Sequence, residues 1–166
     1  PCYLCARMRR GHLYSKAQEL GCNKIALGHH FDDVIETILM GMLYGAQMQT
    51  MMPKVCSTSH PGMELIRPMY YVKEENIIRW MKRNGLEFIQ CACRFTEHYT
   101  SCQNEDGRSK REEVKMLIRE LRKKYENIDI NIFRSTQNVN LDTLISYRKG
   151  GKTVHFLEEY GKKKSE

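Results

Sequence analysis

Residues 24–37, KIALGHHFDDVIET, hold a short apolar run, a glycine, two histidines and two aspartates, and then a second apolar run of different period. Lys24 to Leu27 suits a buried strand of about four residues bounded by Gly28. Beyond it Val34, Ile35, Ile38, Leu39, Met42 and Leu43 recur at helical spacing, with a stop expected near Gly45. Asp33 is placed to act as the N-cap of that helix, with Glu36 three residues on as its capping-box partner. A strand, a tight turn and a helix in this order set the fold class.

The flanking sequence repeats the pattern. Leu13, Ala17 and Leu20 make an apolar stripe on a helix from Arg7 to Leu20, and Gly21 stands where a helix C-terminal glycine belongs. Ala46 to Met63 has two prolines, no clear period and several methionines, and reads as an extended connection whose methionines serve as loop and core filler. Glu64 to Arg67 is a second short strand ended by Pro68. Lys73 to Asn84 is a helix with Ile77, Ile78, Trp80 and Met81 inward, Gly85 at its end, and a third strand at Phe88 and Ile89 after it. Ser109 to Tyr125 is an amphipathic helix striped by Val114, Leu117, Ile118 and Leu121, whereas Ile128 to Asn138 is ambiguous. The tail from Arg148 is lysine-rich and glycine-broken. Helices alternating with short strands argue for α/β layers around a parallel sheet.

At 166 residues one domain is the default. No run approaches the roughly 18 consecutive apolar residues of a membrane helix, and no signal-peptide core follows the basic start, so a cytoplasmic protein without a membrane partner is expected. The net charge is +7, and its distribution decides more than its size. Lys110, Arg111, Lys115, Arg119, Arg122, Lys123 and Lys124 alternate with Glu112, Glu113 and Glu120, which is the pattern of a solvated helix. Arg7, Arg9, Arg10 and Lys16 form a purer basic cluster beside a cysteine pair.

Seven cysteines without a secretory signal favour metal or redox use over a disulfide framework. Cys2-Tyr-Leu-Cys5 has the spacing of two ligands on one metal or of a redox couple. Cys91, Cys93 and Cys102 follow the third strand, so sheet pairing could bring them near Cys2 and Cys5. Cys22 and Cys56 read as small buried hydrophobes. In the 28–33 turn, Gly28 permits a tight bend at the strand's carboxyl end, and the next helix offers amides to phosphate while Asp32 and Asp33 offer carboxylates to Mg2+. The same residues also suit a plain helix start, with Asp33 capping and Asp32 facing the dipole.

The stretches CYLCARMRRGHLYSKAQELGCNKIALGHHFDDVIETILMGMLYG, IRPMYYVKEENIIRWMKRNGLEFIQC and IFRSTQNV together resemble the tRNA 2-thiocytidine synthetases of the PP-loop ATP pyrophosphatase superfamily, from Cys2 to about Leu144. The resemblance implies a partial PP-loop parallel sheet of the adenine nucleotide alpha hydrolase type with flanking helices, over residues 1–108. A helical extension at 109–147 and a basic tail at 148–166 follow. It implies an ATP-dependent tRNA sulfurtransferase that adenylates a tRNA cytidine and thiolates it with the help of a 4Fe-4S cluster. The sulfur comes from a donor protein or sulfide. Cys2 and Cys5 match the family's cluster ligands, which take part in catalysis, and Gly28, His29, Asp32 and Asp33 match its LGHxxDD nucleotide motif. Arg7, Arg9 and Arg10 are expected to face tRNA phosphate.

Two departures shape the expectation. The family has a second CxxC after the last strand, whereas this chain has Cys91-Ala-Cys93 and then Cys102; Cys93 is taken as the third ligand. The SGGxDS phosphate loop does not occur in these residues, so the chain is expected to be the carboxyl-terminal half of such an enzyme, with weak ATP hydrolysis alone and a tendency to dimerise through exposed core. The alternative is a non-catalytic tRNA-binding module stabilised by zinc or a cluster.

Overall fold

The computed structural model describes residues 2–87 and 109–161. Helix α1 (Cys2–Glu19) leads into strand β1 (Lys24–Ala26), helix α2 (Phe31–Gly45), strands β2 (Lys54–Cys56) and β3 (Glu64–Ile66), and helix α3 (Glu74–Arg83). Helices α4 (Lys110–Lys124) and α5 (Ile128–Ser135) follow, then a 3-10 turn at Leu141–Thr143. A hairpin of β4 (Ser146–Lys149) and β5 (Lys152–His155) ends in the short helix α6 (Phe156–Glu159). The third expected strand at Phe88 and Ile89 lies outside the described residues.

The parallel pair predicted from the sequence forms: β1 lies beside β3 with Ile25 opposite Leu65. The sheet is mixed, however, because β2 adds to the far side of β3 in antiparallel register, with Val55 opposite Leu65. This strand falls inside the stretch read as an extended connection. Its three residues are all exposed, so no apolar alternation announces it, and the backbone ladder with β3 holds it together with the Lys54–Glu64 ion pair at 2.8 Å.

The core forms around α2. Val34, Ile35 and Ile38 are fully buried and pack with Val114 and Ile118 of α4 and with Phe133 of α5. At about 1.5–3 kcal/mol for each large apolar side chain removed from water, this stripe dominates the packing energy. Phe31 and Tyr70 close it against Phe133, with ring centroids 5.2 and 5.8 Å apart. Of the methionines after α2, Met63 is buried and Met51 packs against the core, whereas Met48 and Met52 are exposed.

Two expected stripes are not buried. On α1 it is Tyr14 that turns inward, stacking on His60 at 4.6 Å, while Leu13 and Leu20 face solvent. On α3 none of the residues is buried, and Ile78 and Trp80 are exposed. Helical periodicity identifies a face but not how far it is covered, and of the apolar stripe here only Ile77 and Met81 are half-buried. Cys22 and Cys56 are exposed free thiols and not buried hydrophobes, because one lies in the turn after α1 and the other on the outer strand. The helix-ending role of Gly21 holds: its φ is 70°, and Cys22 N–H reaches back to Ala17 O at 2.8 Å. Gly150 and Gly151, both with positive φ, make the two-residue turn of the β4–β5 hairpin in what had read as tail. Among the described residues no helix is long and apolar enough to cross a membrane.

Helix α2 ends in an unusual way. Ala46, not Gly45, takes the left-handed conformation, with φ 49° and ψ 36°, and Gln47 N–H binds Gly41 O at 2.9 Å. The returning chain comes so near that a Cβ on Gly41 would lie 2.9 Å from Gln47 O. Alanine usually stabilises a helix interior by about 1 kcal/mol over glycine; here the backbone clash reverses the sign, and Gly41→Ala should destabilise the fold by about 1–3 kcal/mol. Ala46→Gly should stabilise it by about 1 kcal/mol by removing left-handed strain. Thermal unfolding of the two variants beside the parent checks both directions.

Candidate functional site at the strand ends

The carboxyl ends of β1 and β3 emerge side by side, tied by Leu27 N–H to Ile66 O at 2.9 Å. This edge is where open α/β sheets bind ligands. The 28–33 turn leaves β1 here. Gly28 is not among the residues with positive φ, and a Cβ on it would meet only Met69 Cε at 3.6 Å, so this glycine is not needed for the bend.

The N-cap of α2 is His30, not Asp33. Asp33 is the third residue of the helix, and its Oδ2 accepts the His30 N–H at 3.1 Å. The Phe31 N–H donates to Val72 O at 2.9 Å, so donors at the helix start are already engaged within the fold. Glu36 is no capping-box partner. It is buried, with Oε2 accepting from Arg111 at 2.9 Å and Oε1 3.7 Å from Lys115.

Both aspartates are tied to cations. Asp32 is 6% exposed, with Oδ2 accepting the Glu74 N–H at 2.7 Å and Oδ1 accepting from Arg122 Nη2 at 2.6 Å. Arg122 also grips Asp129 through Nε at 2.8 and 3.1 Å, and Lys73 lies 3.6 Å from the same carboxylate. Arg111 Nη1 binds Asp33 Oδ1 at 2.9 Å. One aspartate therefore fastens the starts of α2 and α3 to α4 and α5, and the other fastens α2 to the start of α4. Each oxygen of these carboxylates already meets a cation or a backbone N–H, and among the described residues no group of three or more His, Cys, Asp or Glu side chains could hold a metal ion. A Mg2+ bound directly to Asp32 or Asp33 would compete with these donors.

The partners Arg111, Lys115 and Arg122 were not singled out in the sequence, where their helix read as solvated. That reading holds for Lys123, which pairs locally with Glu120 at 2.7 Å. The signal for the others was their spacing: positions 111, 115 and 122 share a face with Val114 and Ile118, so they flank the buried stripe instead of opposing it.

The electrostatics follow from burial and pairing. Burial pushes the Asp32 carboxyl up, but the Glu74 N–H and the Arg122 guanidinium outweigh it and hold the pKa below its usual value. Burial pushes Glu36 up, and Lys115 and Arg111 only partly offset it. Burial also lowers His29, against the pull of Asp33, so the imidazole is neutral near pH 7. Arg122 is raised by its two aspartates.

Of the other expected site residues, Cys2 and Cys5 belong to the start of α1. Cysteine thiolates are the donors that iron–sulfur clusters use. Cys93, with Cys91 and Cys102, lies outside the described residues. Arg7, Arg9 and Arg10 are exposed along α1.

An open α/β sheet with its polar residues gathered at the strand ends defines a ligand-binding class. A family model described as a PP-loop domain matches residues 5–105. The tRNA-cytidine(32) 2-sulfurtransferase of Verminephrobacter eiseniae is 37% identical over 147 residues, 89% of this chain and 43% of that protein. The protein of the same name in Syntrophotalea carbinolica is 39% identical over 138 residues, 83% of this chain and 50% of that protein. Among solved structures, the U34-tRNA thiolase NcsA from Methanococcus maripaludis with its 4Fe-4S cluster superposes with a TM-score of 0.58 at 24% identity, covering 86% of this chain and 46% of that one. The chain belongs to the PP-loop domain family, where its sequence groups with the tRNA 2-thiocytidine synthetases. It spans about half the length, or less, of these curated relatives.

Asp32 and Glu36 should respond to pH with opposite sign. The stability from Asp32, whose folded pKa is depressed, is present above the unfolded value and lost as pH falls through the folded one. For Glu36 the folded pKa is raised, so its contribution is full below the unfolded value and lost as pH rises through the folded one. At pH 7 Asp32→Asn should cost about 2 kcal/mol, less than a fully buried pair would, because the Arg122 side chain is 37% exposed. The cost should fade below the carboxylate range. Glu36→Gln should be neutral or stabilising at pH 7. Calorimetric unfolding across pH checks both.

Proposed function

We propose that this chain forms part of an ATP-dependent tRNA sulfurtransferase that replaces a cytidine oxygen with sulfur. The observation that carries the reading is the similarity to proteins of that named activity at 37 and 39% identity along most of the chain. The family match contains both Cys5 and the whole 28–33 turn. In this reading Gly28, His29, Asp32 and Asp33 border the nucleotide, and the tRNA backbone lies along Arg7, Arg9 and Arg10. Phosphate neutralised by these arginines gives affinity that is blind to sequence and weakened by salt. Asp32 and Asp33 act mainly as struts that set the turn, since arginines already occupy their oxygens.

Cys2, Cys5 and Cys93 would hold the 4Fe-4S cluster, three thiolates leaving one iron position open. When bound, such a cluster supplies an iron site able to carry sulfur. Arg7, Arg9 and Arg10 follow Cys2 and Cys5 closely in the sequence, a basic setting that suits thiolate ligands. Sulfur arrives from a donor protein or as sulfide, and two copies associate through apolar surface such as Ile78 and Trp80.

Anaerobic incubation of the chain with iron and sulfide should give a broad visible absorption that bleaches in air. Cys5→Ala and Cys93→Ala should each lose it. A colourless protein that takes up stoichiometric zinc through the same cysteines would overturn this reading in favour of a non-catalytic tRNA-binding module.

A further inference from the structure

Arg67 follows β3 directly and lies beside the 28–33 turn, yet none of the pairings above involves it. Its Nε is buried without a hydrogen-bond partner. The two other orphaned buried polar atoms among the described residues are His29 Nδ1 and His30 Nδ1, so all three gather at this one sheet edge. Buried polar groups nearly always find partners, and a clustering of exceptions at a ligand-binding edge marks atoms that await a ligand.

The surroundings of Arg67 indicate what that ligand is. Its Nη1 donates to the Met52 carbonyl, which leaves the rest of a five-donor fork to other acceptors. The charged and titratable groups that bear on it are Arg10 of α1, Tyr14 and Tyr70; no carboxylate is among them. Its own charge in turn bears on His29. A half-buried guanidinium that feels the charge of a second one, with no carboxylate among the described residues paired to it, is electrostatically costly until an anion arrives. Burial accordingly lowers the Arg67 pKa, and Arg10 lowers it further. The contrast with Arg111 and Arg122 is sharp, because each of those is matched to carboxylates within 3 Å.

The geometry points to an oxyanion seat formed by Arg67, Arg10 and His29 at the carboxyl ends of β1 and β3, shaped for a phosphate group. Arg67 supplies the fork that matches phosphate oxygens in a bidentate way, and Arg10 adds charge from α1. His29, neutral near pH 7, offers a ring N–H. Either a nucleotide phosphate or an RNA backbone phosphate has this chemistry. The inference deepens the proposed function by giving its nucleotide or tRNA a particular anchor, and it rests on that reading only for the source of the phosphate.

The test is calorimetric titration of the chain with tripolyphosphate, ATP and a short RNA stem-loop, without iron, using the parent, Arg67→Gln, Arg67→Lys and Arg10→Gln. Arg67→Gln should weaken tripolyphosphate about tenfold or more, the scale of lost charged hydrogen bonds. Arg67→Lys should recover only part, since an ammonium lacks the planar fork, and Arg10→Gln should show a smaller loss. A parallel loss for ATP but not RNA assigns the seat to a nucleotide. A loss for RNA, with the salt slope reduced by about 1, assigns it to a backbone phosphate. Unchanged binding of all three probes by a folded Arg67→Gln overturns the proposal. If that variant unfolds, equal tripolyphosphate affinity in Arg67→Lys, Arg10→Gln and the parent overturns it instead. A protein that fails to take up iron yet passes this titration refutes the thiolation reading while leaving the seat standing.

Discussion

Everything at the strand ends depends on how α2 is held. The buried faces of Val34, Ile35 and Ile38 pin the helix to α4 and α5, and hydrophobic packing of this kind sets distance without fixing rotation or slide. Direction comes from the charges bordering the stripe. Asp32, Asp33 and Glu36 lie along the same side of α2, and each meets a base on α4. Because Asp32 also takes the first backbone N–H of α3, the starts of two helices are referenced to one carboxylate. The turn that carries Gly28 to Asp33 is thereby held on both sides of its chain path.

The cost of this arrangement differs from carboxylate to carboxylate. Asp32 has a backbone N–H and a guanidinium on separate oxygens, enough to overcome burial. Glu36, equally deep, has only side-chain cations, one of them at 3.7 Å, and burial wins. A backbone N–H is fixed by the fold, whereas a lysine must be ordered at an entropic cost to serve the same carboxylate. The difference between one strut and the next is therefore a difference in how far the partner is preorganised.

The sequence disclosed the strand–turn–helix unit, the parallel pairing of β1 with β3, and the Gly21 stop, because each rests on local chemistry: a bounded apolar run, helical periodicity, and a residue free to take positive φ. It did not disclose β2, whose side chains all face water and whose only reason to be straight is the neighbouring edge of β3. It misassigned Asp33 by three positions, since His30 and Asp33 both suit a helix start and the choice depends on Val72 O meeting the Phe31 N–H from a distant segment. The bases of α4 were legible as a face only after the position of the apolar stripe was known. Arg67 carried no local signal at all. Its significance lies in missing partners, which can be judged only once the neighbours are in place.

The division of cations at this edge also explains its polarity. The turn is rich in carboxylates, and on composition alone it would repel phosphate. Arg111, Lys115 and Arg122 cancel those charges from behind, on the α4 side. Among the described residues, Arg67 at the end of β3 has no carboxylate partner, and the charge that bears on it is that of Arg10 on α1. Separating the matched from the unmatched charges in this way leaves the acidic motif neutralised by α4 and the Arg67 guanidinium without a counter-ion. Since field in a partly desolvated cleft is set by the unmatched charges, the proposed seat divides the work: the acidic residues of the turn fix its geometry, and Arg10 and Arg67 would select the ligand.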